Sequence, residues 1–206
     1  MAHVIAAERG RTRRKVLIAA LLMLAVNALD LMSTYVASPD LSAEWNMMAR
    51  RFGLGWAGLI GTKLIGSWLA VIGYAYYLRH VADCYPAPGG SDHDFARGFL
   101  FGEGPLAGSP TRVSVIRRTL VCTGYLWAGM QGLVLWVTLD NLGLAFGMVS
   151  PLRFDPDTAY HYMQALIVAG VVFARYCLGN LRRYRALQPA AVVRAAATRQ
   201  PVGTAD

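Results

Sequence analysis

Four apolar runs, at 16–37, 54–78, 119–139 and 160–181, constrain this chain more than anything else in it. Each holds about 20 residues or more, which at about 1.5 Å of helical rise per residue covers a hydrocarbon core about 30 Å thick. Lipid offers no water to pair with backbone N–H and C=O groups, so such runs cross it as helices and not as open strands. A water-soluble helical bundle is the alternative, but its helices would carry a polar stripe, and a run such as LIAALLMLAV has none. Composition agrees: 55% of residues are hydrophobic, 16% are charged and the mean hydropathy is +0.37, whereas soluble chains carry roughly 25% charged residues. The expected fold is all-α, a polytopic membrane protein of four transmembrane helices over 15–187. A basic mobile arm at 1–14 precedes it, a tail at 188–206 follows it, and the lipid bilayer is its first partner. The first run, preceded by Arg13-Arg14-Lys15, could pass for a signal peptide. Its apolar stretch exceeds the usual 7–15 or so residues, and Pro39 follows the only small-residue cleavage site, so a retained helix is expected.

The formal charge of +8 suggests nucleic acid until its distribution is examined. Arg9, Arg11, Arg13, Arg14 and Lys15 precede the first run. Arg79, Arg97, Arg112, Arg117 and Arg118 lie between the second and third, and Arg182, Arg183, Arg185, Arg194 and Arg199 follow the fourth. The opposite side has only Arg50, Arg51 and Arg153. Fifteen against three is a positive-inside bias, which places both termini in the cytoplasm of a cell inner membrane and argues against a nucleic-acid partner. The basic flanks can also touch anionic headgroups. Cys84, Cys122 and Cys177 then fall on the reducing side and are read as small packing residues, since their spacing matches no metal site.

Between the runs, Asp40 or Ser42 can cap a short interfacial helix carrying Leu41, Trp45, Met48 and Phe52 on one side. The loop at 79–112 is rich in Gly, Pro and Asp and reads as irregular, ordered in part by Phe95, Phe99, Leu100 and Phe101. The tail beyond Leu187 reads as a frayed helix end. In the second run Gly58, Thr62, Gly66 and Ala70 recur every four positions, a small-residue stripe that lets another helix backbone approach. Aromatic residues near the run ends, among them Tyr35, Trp56, Tyr76, Tyr77, Phe154, Tyr160 and Tyr184, fit interfacial belts.

The polar residues within the oil point to a site. Asp30 lies inside NALDLMSTY, where a carboxylate costs about 2.5–3.5 kcal/mol on insertion scales. Asn27, Asp30 and Thr34 share one helix face at i, i+3 and i+7, so that face should meet protein. Lys63 is the corresponding charge in the second run. Asp30 is about 10 Å and Lys63 about 13 Å below the same outer boundary, counted at the helical rise. An ion pair between adjacent antiparallel helices is the simplest resolution. Glu44 and Asn46, just outside, can extend the cluster to Asn27, Asp30, Thr34, Glu44, Asn46 and Lys63.

Asp30, Ser33-Thr34, Glu44-x-Asn46 and Lys63 together resemble the pattern of a widespread prokaryotic multi-span membrane family of unknown function, over about residues 15–78. Met47 stands where that family usually has Pro. The resemblance implies the architecture and the site, and no reaction.

The expected function is non-enzymatic: a small accessory or structural subunit of a larger membrane assembly, docked on other membrane chains or on itself, with Asp30–Lys63 as structural glue. A proton-, cation- or small-ligand-binding transport component built on Asp30, Glu44 and Lys63 is the alternative. A metal-dependent intramembrane enzyme using the oxygens of Asp30, Glu44 and Asn46 is a second one. No catalytic residue, metal ligand set or cofactor is assigned, because His-paired nucleophiles, His-Glu-x-x-His and Gly-x-Ser-x-Gly are absent. His80 and His161 fall on opposite leaflets and cannot share a haem. Asp83, Cys84, Asp92, His93 and Asp94 read as a solvated loop, and Arg175 as a snorkelling side chain. Gln131 and Gln164 read as makers of interhelical hydrogen bonds, and Asp140-Asn141 as the end of the third helix.

Overall fold

A computed structural model of the chain describes residues 2–41, 47–50, 52–86, 90–102, 112–146 and 160–198. Its helices are α1 (Ala2–Ala37), α2 (Met47–Arg50), α3 (Gly55–His80), α4 (Asp92–Ala96), α5 (Arg112–Gly129), α6 (Gln131–Ala145) and α7 (Tyr160–Thr198). A 3-10 turn over Val81–Cys84 and a π-helical turn over Arg97–Phe101 complete the set, with no strand among the described residues. Among the described residues four stretches are long and apolar enough to cross a bilayer: Gly10–Ala37, Gly55–Cys84, Val115–Gly143 and Ala165–Gln188.

The side chains are sorted as a bilayer sorts them. Large apolar residues such as Leu21, Leu29, Ile65, Trp68, Leu139 and Leu166 point outward, while Asn27, Asp30, Ser33, Thr34, Ser67, Thr138 and Asn180 are buried. Water would favour the reverse, whereas in lipid the polar groups need partners from neighbouring helices.

Several expectations are corrected. The basic arm is helical from Ala2, continuous with the first span, and α7 runs on to Thr198 where a frayed end was expected. The third span is two helices, not one. Met130 forms a turn between them, its N–H bonding the Leu126 carbonyl at 2.9 Å and its carbonyl accepting from Leu133 N–H at 2.9 Å. At the joint, Gly129 rests on Val172 of α7, where a Cβ would come within 2.3 Å of Val172 Cγ1. The break changes the span's neighbour: α5 lies along α3, and α6 along α1.

The tightest contact of helix backbone with helix backbone at the described glycines is not made by the expected stripe. Gly73 of α3 faces Gly124 of α5 so tightly that a Cβ on Gly124 would lie 2.3 Å from the Gly73 carbonyl oxygen. Of the stripe itself, Gly58 backs onto Met48 of α2 and Ala70 is buried, but Thr62 is exposed and Gly66 has open space where a Cβ would point.

Of the expected interfacial helix, the described residues include one turn, α2. Leu41 precedes it in a turn closed by its N–H on the Ser38 carbonyl, with the left-handed φ of 59° that places its side chain against Ala49 and Leu59. Met48 and Phe52 are exposed, so they do not share Leu41's buried face. Trp45 lies outside the described residues.

At the end of the bundle that carries both termini, the described part of the loop after α3, residues 81–86 and 90–102, is ordered, as its phenylalanines lead one to expect. Ser91 caps α4 through a reciprocal pair of bonds with Asp94. Phe95 and Phe99 then insert among Tyr85, Tyr176 and Tyr184, with ring centroids of Phe99 and Tyr176 5.2 Å apart. Leu100 is partly buried there and Phe101 is exposed. Arg118 of α5 fixes this segment, the two hydrogens of its Nη1 being shared among the carbonyls of Cys84, Gly98 and Phe99. Tyr77 and Tyr184, expected in an interfacial belt, belong to this core, and Tyr35 is exposed near Trp56.

Candidate functional site

The site sits in the half of the bundle away from the termini, where α1, α3 and α6 meet. Asp30 is 2% exposed. Its Oδ2 is 2.5 Å from Lys63 Nζ on α3, and its Oδ1 is 3.4 Å from Thr138 Oγ1 on α6. The Thr138 hydroxyl has one hydrogen and lies nearer the Val134 carbonyl, at 2.8 Å, so its bond to Asp30 is the weaker of the two. Lys63 therefore supplies the main compensation for the buried carboxylate. The lysine side chain itself is 21% exposed, so the pair is sealed at the acid and open at the base.

Polar rungs extend the pair along α1 and α6, which run in the same direction. Asn27 Nδ2 donates to Gln131 Oε1 at 2.9 Å and to its own helix's Met23 carbonyl at 2.8 Å. Asn141 Nδ2 reaches Thr34 Oγ1 at 3.2 Å and Ser33 Oγ at 3.4 Å, and Ser33 donates to the Asp30 carbonyl at 2.9 Å. The residues on α1 recur at 27, 30 and 34, as a buried helix face requires. Those on α6 recur at 131, 138 and 141, again on one face.

Four of the expected site residues, Asn27, Asp30, Thr34 and Lys63, are thus drawn into one seam. Glu44 and Asn46 lie outside the described residues. Thr138 and Asn141 are additions. Asn141, expected to end the third helix, instead ties that helix to α1. Their signal in the sequence was the recurrence of polar residues at 131, 138 and 141 within an apolar run, which is the same pattern that exposed the face on α1.

A second polar cluster stands in the aromatic core near the termini. Asn180 Oδ1 accepts from Tyr85 at 2.9 Å and from Tyr77 at 3.4 Å, Asn180 Nδ2 donates to the Tyr176 carbonyl at 2.7 Å, and Arg183 donates to the Tyr77 hydroxyl at 3.1 Å. Burial pushes the Tyr85 phenol up to about 12, against the opposing pull of Arg183, so it stays a neutral donor. On the surface beside it, Asp92 pairs with Arg185, whose guanidinium holds the Asp92 carboxyl below the usual carboxylate range. His80 and Arg117 both approach Asp83, at 3.3 and 3.4 Å. The three cysteines are free thiols. Among the described residues no group of three His, Cys, Asp or Glu side chains is placed to hold a metal.

The chemistry available at the seam is that of a matched charge pair with hydrogen-bonded neutral flanks: it can hold helices in register, exchange a proton, or meet a small polar ligand through Lys63. Compared with protein-family models, curated proteins and solved structures, the chain matches none of them.

Proposed function

We propose that this protein is a non-enzymatic integral membrane subunit of a larger membrane assembly, in which the Asp30–Lys63 pair locks three spans in register. The observation that carries this reading is the pair's asymmetric setting. A carboxylate sealed at 2% exposure and satisfied by protein groups is built to hold α1, α3 and α6 together. The outward face of α3 supports docking: Gly61 has room beside it, and Ile65, Trp68 and Ile72 on the same face are exposed. That face would take a neighbouring membrane helix. On this reading the protein resides in the cell inner membrane with its termini in the cytoplasm, as the basic flanks direct.

Purification in mild detergent tests it. A second membrane chain at fixed stoichiometry, or a defined self-assembly, is the expected result, and a lone monomer refutes the subunit role.

The exposure of Lys63 favours a second reading, a proton-, cation- or small-ligand-binding component of a transporter. Here Asp30→Asn would fold normally and abolish a pH- or ligand-linked signal of the reconstituted protein, whereas register locking predicts a loss of stability.

A further inference from the structure

The first helix carries a surface whose occupant its own chemistry specifies. Counted at about 100° per residue, the exposed residues Leu17, Leu21, Leu22, Leu24, Leu29 and Met32 fill an arc of about 160° on α1. Asn27, Asp30 and Thr34, which face the bundle, lie on the other side. The helix continues without a break toward its N-terminus, so the same arc can be followed into the turn before Val16. Arg14 falls at the centre of the arc, Arg11 within it, and Arg13 and Lys15 within about 20° of its two edges by the same count. Thr12 and Val16 take the bundle-facing positions of this turn.

All four cations are exposed, and none pairs with a carboxylate among the described residues. The acids described at this end of the bundle are already engaged: Asp83 with His80 and Arg117, Asp92 with Arg185, and Asp94 with Ser91. Among the described residues, then, a fan of cations without carboxylate partners stands directly above an apolar stripe, within one or two turns of it. That is the layout of a phospholipid turned inside out, with positive charge at the depth of the phosphate and hydrocarbon at the depth of the acyl chains. We propose that this face of α1 is a binding surface for an anionic phospholipid. Arg11 and Arg14 hold the headgroup phosphate through charge-assisted hydrogen bonds, and Leu17, Leu21 and Leu22 line the chains below it.

A feature of this placement separates it from a general attraction of positive protein to negative membrane. The cations must occupy the lipid-facing arc, so moving one to the bundle side should abolish the effect at constant net charge. The test uses the full chain in neutral detergent micelles, titrated with phosphatidylglycerol or phosphatidylcholine, with bound lipid counted by native mass spectrometry. Wild type is expected to retain phosphatidylglycerol in preference to phosphatidylcholine. Arg11→Gln with Arg14→Gln should weaken that retention about thirtyfold, each surface cation contributing about fivefold. The swap Thr12→Arg with Arg14→Thr, which conserves charge, should weaken it about fivefold by the same reckoning. Matching gel-filtration profiles and helix content establish that each variant is folded, and the two variants fail independently. Equal retention of both lipids by wild type would overturn the proposal. So would a swap variant that retains phosphatidylglycerol like wild type, or an acidic protein that co-purifies through these arginines while the lipid is ignored.

Discussion

Removing Lys63 should hurt this protein more than removing Asp30, and the reason lies in the unequal burial of the two partners. At 2.5 Å the gross attraction of the pair is roughly 7 kcal/mol for an effective dielectric constant of about 20. Most of it offsets the desolvation of the two ions, so the net worth of the pair is far smaller. The informative quantity is what each deletion leaves behind. Lys63→Met strands a carboxylate that is 2% exposed and has only the weakly placed Thr138 hydroxyl in addition. Breaking a buried pair in this way costs about 3–5 kcal/mol. Asp30→Asn leaves a lysine that is already 21% exposed and can swing its ammonium outward on its four-carbon stem, while the new amide keeps its contact with Thr138. Its expected cost is about 1–3 kcal/mol. The double variant strands no charge and should recover at least 1 kcal/mol relative to Lys63→Met, within the range of coupling measured for contacting groups. Equilibrium unfolding in mixed micelles, with helix content as the readout, measures all four proteins. If both single variants fall within about 0.5 kcal/mol of wild type, the range of ordinary surface substitutions, or if the double variant is simply the sum of the singles, the pair does not hold the spans in register.

Gly124→Leu should unfold or separate α3 and α5, since even a Cβ there meets the Gly73 carbonyl oxygen at 2.3 Å. Gly66→Ala should leave thermal stability intact or slightly raised, there being nothing within 4 Å of its Cβ position. Arg118→Met removes the donor to three loop carbonyls and should expose Phe95 and Phe99 to chymotrypsin, seen as rapid loop cleavage while the helices stay intact. The Asp92–Arg185 contact should tether the loop in a pH-dependent way. Its carboxyl is held below the ordinary value, so the contribution is present above the unfolded carboxyl value of about 3.9 and fades as pH falls through the lower folded value. Amide exchange of α4 in wild type and Arg185→Gln should therefore differ at neutral pH and converge in acid, and a difference that persists at low pH would contradict it.

The spans and the Asp30–Lys63 pair were legible because each rests on one strong physical pressure. Length and hydropathy fix how a segment meets lipid, and a lone charge at depth has few affordable partners. Where two local choices were of similar energy, the sequence was less informative. Gly73 and Gly124 are single glycines outside any four-residue repeat, and only the meeting of α3 with α5 selects them over the more conspicuous stripe at Gly58, Thr62, Gly66 and Ala70. The loop after α3 looked irregular because its order comes from contacts distant in sequence, Arg118 with Gly98 and Phe95 with Tyr184. Tyr77 and Tyr184 could serve an interface or a core equally well by composition, and packing against Phe95, Phe99 and Tyr176 decided for the core.

The turn at Met130 gives the third crossing two allegiances. Its first half is bolted to α3 by backbone contact at Gly73 and Gly124 and braced by Tyr125 in the aromatic core, while its second half is fastened to α1 through side-chain amides, hydroxyls and one carboxylate. The first kind of joint tolerates almost no sliding, but the second can be remade one hydrogen bond at a time. A displacement of α1 near Asp30 is therefore expected in α6 before it is felt in α5, which the Gly73–Gly124 contact holds to α3.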